Sequence, residues 1–272
     1  MAGKEFFDVK KSTVKTSEGE IDLPILYYDT GVRYLNFWVD FEKAASRLAG
    51  TGLLPCKFFN GKAFTSLIYF QYRHVSIDPY DEATITIMVH PESSKKPLFF
   101  LPAFLSKTGM KKNNIGAYVL EMPVTTTAAR AAGREIWGYP KFVTKISSAL
   151  APDRFEFGVF DPKTNQSILS VRCKTGSGIK VSGFDLATYS NLDDSILKTI
   201  VNIDAKYRVS SAKDFELKAG PSNHRMAQNI RDLGLDRVKP FMVMATDSFR
   251  SRLNRGEPVA EWKTPPLPYE QE

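Results

Sequence analysis

Residues 63–89, AFTSLIYFQYRHVSIDPYDEATITIMV, decide the fold class. Residues 63–74 and 83–89 each read as a strand, rich in β-branched and aromatic residues. Asp78-Pro79 between them is turn chemistry, so the runs punctuate as neighbouring strands.

The same pattern continues outward. Residues 36–39, 117–122, 142–146, 155–160, 167–173, 206–210 and 240–245 read as further strands. Asn60-Gly61 and Asp161-Pro162 are turns, and residues 161–165 predict a hairpin loop. Gly176-Ser177-Gly178 predicts a second hairpin turn; with Val at 181 it does not complete a dinucleotide-binding fingerprint. Helical signals cover residues 40–48, stopped by Gly50, and 125–136, which opens on a capping threonine and meets Gly138 and Pro140. Residues 192–203 and 222–233 predict two more helices. The sum is a mainly β (α+β) fold, an antiparallel cone-like closed barrel or sheet with a few packed helices. Closure removes exposed strand edges. The expected organisation is a polar N-terminal arm over residues 1–20 and one domain over 21–272.

Composition narrows the function. The 272 residues are 43% hydrophobic and 25% charged, as in a folded globule. A net charge of +7 comes from 37 basic and 30 acidic residues that are interleaved, with no basic run longer than two. No nucleic-acid-binding signature accompanies that charge, which suits small anions instead. The longest apolar stretch, residues 97–105 (PLFFLPAFL), is broken by Pro102 and falls short of the about 20 residues a membrane span needs. Residues 1–20 are polar and lysine-rich without a secretory apolar core, so a cytoplasmic location is expected. Cys56 and Cys173 read as two buried thiols in a reducing compartment. His74, His90 and His224 lack metal-ligand spacing, so no metal is expected. There is no phosphate-binding loop and no nucleophile elbow.

What remains is a lysine. In residues 133–143, GREIWGYPKFV, a helix ends at Gly138, Pro140 holds Tyr139 extended, and a strand begins at once. Lys141 is thereby fixed at a rigid junction beside Trp137, Tyr139 and Phe142. In water roughly one lysine amine in 2,500 is neutral at pH 7. Apolar walls favour the neutral form, and a neutral amine attacks ketones. The residues alone favour a lysine that runs past packed neighbours to reach water.

The motif adds to this. Gly133–Phe142, GREIWGYPKF, resembles the signature of the acetoacetate decarboxylase family, in which the lysine after proline forms a Schiff base. Tyr80-Asp81-Glu82-Ala83-Thr84 is similar to the segment of that family that supplies an active-site carboxylate, here Glu82. Arg33, in Gly31-Val32-Arg33-Tyr34, falls where the family keeps a substrate-contacting arginine. Gly220-Pro221, followed by a helix and a strand, also fits, and the similarity runs over about residues 22–262.

The resemblance implies an antiparallel β cone around the lysine, a homo-oligomer, no cofactor, and a small anionic keto-acid substrate. It implies that Lys141 forms an imine with a β-keto acid, that CO₂ departs through an enamine, and that Glu82 and Arg33 assist. Tyr139, Trp137 and Met122 would form the substrate-binding wall. Family members also carry out aldol condensation and dehydration, which the same lysine would allow on a 2-oxo acid. A non-catalytic barrel binding small ligands is the alternative from another class. Two departures stand out. The second lysine of the family's namesake is replaced by Phe142, so water exclusion alone must favour the neutral amine. Residues 91–114 form a longer segment whose apolar centre suggests a lid or an oligomer contact.

Overall fold

The computed structural model describes residues 5–94 and 106–261. The apolar centre of the 91–114 segment lies outside the described residues. Among these, the chain forms β1 (Ser12–Thr16), β2 (Gly19–Leu23), β3 (Ile25–Val39), α1 (Phe41–Arg47), β4 (Leu53–Pro55), β5 (Ala63–Val75) and β6 (Tyr80–Pro91). Next come β7 (Gly116–Val124), α2 (Thr127–Trp137), β8 (Lys141–Val143), β9 (Ile146–Leu150), β10 (Arg154–Phe160) and β11 (Ser167–Thr175). Then follow β12 (Ile179–Ser182), β13 (Leu186–Leu192), β14 (Ser195–Asp204), β15 (Lys206–Ser210), β16 (Ala212–Ala219), α3 (Arg225–Leu233), β17 (Met242–Leu253) and β18 (Glu257–Glu261), besides single helical turns at Gly109–Lys112 and Leu235–Arg237.

β5 and β6 pair antiparallel from Thr65↔Ile87 to Tyr72↔Tyr80, with the turn around Asp78-Pro79 between them. From this hairpin the sheet spreads both ways until it meets itself. β5 pairs with β3 and β3 with β17; β6 pairs with β7, which runs parallel to β13; β13 pairs with β14, and β14 pairs with β17. The seven strands close a barrel. A four-stranded sheet, β16-β11-β10-β9, lies outside it.

Side-chain alternation gives each barrel strand two apolar faces. Leu35, Leu67, Tyr69, Ala83, Ile85 and Ile87 face outward and pack against Phe155, Phe157, Leu169 and Val171 of the outer sheet and against Met226 and Ile230 of α3. Val32, Tyr34, Ile68, Phe70, Tyr72 and Tyr80 face inward and meet Trp137 and Tyr139. A barrel covered on both faces needs strands without exposed polar stripes, which is why β6 is buried at nearly every position. Cys56 and Cys173 are buried free thiols, and burial pushes Cys173 up to about 12. No helix of the described residues is long and apolar enough to cross a membrane.

Three expectations are corrected. Residues 192–203 are not a helix: β14 pairs with β13, β17 and β18. Leu192, Ile196, Ile200 and Ile203 fall at helical spacing, but cross-strand partners on both sides override that periodicity. The Gly176–Gly178 triplet is not a hairpin turn, because β11 belongs to the outer sheet and β12 pairs with β15; the chain crosses between sheets there. Within the first twenty residues, expected as a loose arm, residues 12–23 form the β1–β2 hairpin. Its turn is fastened to α2, where the Ser17 backbone N–H and hydroxyl donate to Glu135 at 2.9 and 2.5 Å. Ile21 and Leu23 then join the inner apolar cluster.

The layer between barrel and outer sheet carries much of the stability. Truncating Leu67, which is fully buried there, leaves a cavity. In urea unfolding, Leu67→Ala is expected to lose about 2–5 kcal/mol, whereas Ile179→Thr, on an exposed strand position, stays within about 0.5 kcal/mol.

Candidate active site

The site is built at the end of α2. Thr126 caps the helix start by accepting from the Ala129 N–H. At the other end Gly138 adopts a left-handed conformation with φ of 65°, and its N–H bonds back to the Arg134 carbonyl. Only glycine fits, since a Cβ here would lie 2.0 Å from the Asn191 carbonyl oxygen. Three residues later β8 begins, pairing parallel to β7 with Lys141 opposite Met122.

The last turn of the helix then grips the lysine it precedes. The Arg134 Nε–H donates to the Lys141 carbonyl oxygen at 2.5 Å. A Cβ on Gly133 would stand 2.3 Å from Lys141 Cδ and 2.7 Å from Cε, so the bare backbone of Gly133 is the channel in which the lysine stem lies. Arg134 and Glu135 are therefore scaffold: one holds the β8 backbone, the other anchors the β1–β2 hairpin.

Lys141 Nζ ends 2.9 Å from Glu82 Oε2, with both side chains about 5% exposed. Glu82 comes from β6, paired with Phe70 of β5 and Val124 of β7. The Tyr72 hydroxyl donates to Glu82 Oε1 at 3.3 Å. Lys141 Nζ lies 5.2 Å from the Tyr80 ring centre, and the Tyr80 and Tyr27 hydroxyls are 3.2 Å apart. Burial, reinforced by the Glu82 charge, pushes the Tyr72 phenol well above its ordinary range; burial does the same to Tyr80. Both are neutral hydrogen-bonding groups at physiological pH.

The expected wall residues converge on the same interior. Trp137 stacks on Tyr139 at 6.0 Å and donates its indole N–H to the Asn254 carbonyl. The Tyr139 hydroxyl lies 2.6 Å from Thr188 Oγ1, and burial raises it to about 12. Met122 is buried beside Lys141 in the strand register.

Arg33 is not brought to this group. It sits one residue out of phase with Val32, which shares the inward face with Phe70 and Glu82. Its guanidinium points outward, donating to the Val32 and Thr246 carbonyls and to Asp247 Oδ1 at 2.7 Å, and lies 6.0 Å from the Phe155 ring. That is a structural arginine tying the barrel wall to the β17 bend. Phe142 also faces outward, against the His224 ring at 4.5 Å, so the position of the missing second lysine does not open into the barrel. Sequence reading missed Tyr72, Tyr27 and the role of Gly133, and named Tyr80 only as part of the segment around Glu82. The alternation of Ile68, Phe70 and Tyr72 was the available signal for the aromatic face.

The profile of the acetoacetate decarboxylase family matches residues 13–177, well over half of the chain. No curated protein matches the sequence at a significant level. Solved structures share the fold at low identity. An acetoacetate decarboxylase from Legionella pneumophila subsp. pneumophila str. Philadelphia 1 superposes with a TM-score of 0.63 at 13% identity, covering 88% of each chain. The enduracididine biosynthesis enzyme MppR, complexed with the condensation product of pyruvate and imidazole 4-carboxaldehyde, gives 0.59 at 12%, covering 88% of this chain and 90% of that one. An acetoacetate decarboxylase-like enzyme from Sphingomonas wittichii RW1 gives 0.59 at 10%, covering 88% and 94%.

The contact between Gly133 and the lysine stem is open to measurement. Gly133→Ala is expected to destabilise the chain by about 1–3 kcal/mol through overpacking. In a Lys141→Ala background, where the stem is gone, the same change should cost less than about 0.5 kcal/mol, read from a double-mutant cycle in urea.

Proposed function

The chain belongs to the acetoacetate decarboxylase family, and on that premise we propose that it is a carbon–carbon lyase working through an imine on Lys141. One observation carries the reading: a lysine amine withdrawn from water, 2.9 Å from a carboxylate inside an aromatic barrel. The pair is neutral overall whichever partner holds the proton. With the proton on Glu82, the amine has the free lone pair that carbonyl attack requires.

Attack on a ketone gives a carbinolamine, and Glu82 donates the proton with which the hydroxyl leaves as water. The resulting iminium withdraws electrons from the bond β to nitrogen. If that bond holds a carboxylate, CO₂ departs; if it holds a hydroxyl-bearing carbon, an aldehyde departs. Either way the electron pair enters an enamine; its carbon is protonated by a proton that Glu82 took from the β-hydroxyl on the second course, and by a solvent proton relayed through Glu82 on the first, before water releases the ketone. The first course is the reaction the family is named for. The second is supported as a use of this fold by MppR, whose bound molecule is a condensation product of a keto acid and an aldehyde. Tyr72 orients Glu82 by its hydrogen bond, and Tyr139, Trp137 and Met122 wall the substrate.

Sodium borohydride added in the presence of a panel of keto acids and simple ketones is expected to fix a stable adduct, mapped by mass spectrometry to Lys141. Lys141→Ala should give none, and Glu82→Gln should slow trapping by about 10²–10⁴-fold. A panel that leaves the wild-type chain unmodified would reduce the barrel to a ligand-binding shell.

A further inference from the structure

We infer that the substrate of this site is an uncharged β-hydroxy ketone, cleaved to a neutral ketone and an aldehyde, and not a keto acid. The inference rests on the imine reading above and comes from the charges that the barrel encloses.

Among the described residues the buried basic side chains are Arg33, His90 and Lys141. Arg33 is turned outward and fully engaged with Asp247 and two carbonyls. His90 lies eight residues beyond Glu82 on β6, about 26 Å along the strand, where its ring contacts Pro91 and Ser94. Lys141 is thus the one buried cation at the site, and Glu82 already balances it. The side chains that pack with one another on the inward face are uncharged, among them Tyr27, Tyr34, Phe70, Tyr72, Tyr80 and Phe249.

A keto acid would bring a second negative charge into this enclosure, with no further buried cation among the described residues to receive it. Buried charge without a partner is strongly disfavoured. Imine formation does not relieve this, because the iminium only carries on the single positive charge that Glu82 already offsets. An uncharged ketone keeps the enclosure neutral throughout. The face also offers a neutral hydroxyl in need of a partner: Thr30 Oγ1, opposite Tyr72 in the register, is buried without a hydrogen bond. A substrate hydroxyl or an aldehyde oxygen can satisfy it, while the aromatic rings receive an apolar substituent.

The chemistry balances within the pair. The neutral amine attacks the ketone carbon, and the protonated Glu82 gives its proton to the departing hydroxyl, leaving water, an iminium and a carboxylate. That carboxylate takes the proton of the β-hydroxyl as the carbon–carbon bond breaks. The oxygen electrons form the aldehyde carbonyl, and the bond pair forms the enamine. Glu82 then returns the proton to the enamine carbon, and water hydrolyses the iminium to the free amine and the ketone, the proton this releases going back to Glu82. No oxidant, reductant or metal enters.

The test uses the wild-type chain with 4-hydroxy-4-phenylbutan-2-one, acetoacetate and pyruvate at equal concentration. Borohydride trapping on Lys141 is followed by mass spectrometry, and benzaldehyde release by absorbance. The expected result is at least tenfold faster trapping with the neutral hydroxy ketone, together with benzaldehyde formation that Lys141→Ala abolishes. Trapping of acetoacetate or pyruvate as fast as the hydroxy ketone overturns the inference and leaves the imine reading standing, as does trapping of the hydroxy ketone without benzaldehyde. An adduct with none of the three, and none across the wider panel, removes the imine reading and this inference with it.

Discussion

A lysine and a glutamate are paired 2.9 Å apart in the buried interior of a barrel, and the rest of the molecule is arranged around that pair. Neither group could be buried alone, because an isolated ammonium or carboxylate in an apolar interior is strongly penalised. Together, 2.9 Å apart, they form a neutral unit that an aromatic barrel can enclose. Enclosure in turn demands closure of the sheet. An open sheet would leave Tyr72 and Glu82 at a wet face, and the β17–β14 pairing that completes the ring is what prevents this.

Placement of the lysine is mechanical. Helix α2 ends in a left-handed glycine pressed against the Asn191 carbonyl, and the chain turns directly into β8. Gly133 yields room for the lysine stem, Arg134 holds the strand's backbone, Trp137 and Tyr139 stack as wall, and Glu135 reaches back to fasten the N-terminal hairpin. The motif is short because these contacts are made by one helical turn and the strand that follows it. A side chain fixed by packing at its stem and by an ion pair at its tip has few ways to turn.

Alternation along the strands separates chemistry from construction. Inward residues of β3, β5 and β6 line the barrel; outward neighbours, one position away, meet the outer sheet and α3. Arg33 and Phe142 fall on the outward side by this rule, as does Glu121, whose buried carboxylate is held by Arg225 and Asn229 of α3. A charged residue in a conspicuous stretch of sequence can therefore belong wholly to the scaffold. The barrel wall is thin, and one residue of phase decides which side of it a group serves.

The sequence by itself determined a good deal of this. Strands such as residues 63–74 and 83–89 are legible because β-branched and aromatic residues alternate between turns, and α2 because a capping threonine and a terminal glycine bracket an alanine-rich run. The helix-to-strand junction that holds Lys141 is written in local punctuation, whereas a site role for Lys141 and Glu82 was implied only by the resemblance to the acetoacetate decarboxylase family. The tertiary structure alone decided the rest. Residues 192–203 carry a helical repeat of apolar residues yet lie in the sheet, because three partner strands supply hydrogen bonds that no local window contains. Arg33 could be assigned to neither face before the register of β3 against β5 and β17 was known. Tyr72 and Gly133 acquire meaning only where strands and a helix far apart in the chain converge on one amine. Local propensity is written in neighbouring residues, whereas facing, enclosure and charge balance are properties of which distant segments meet.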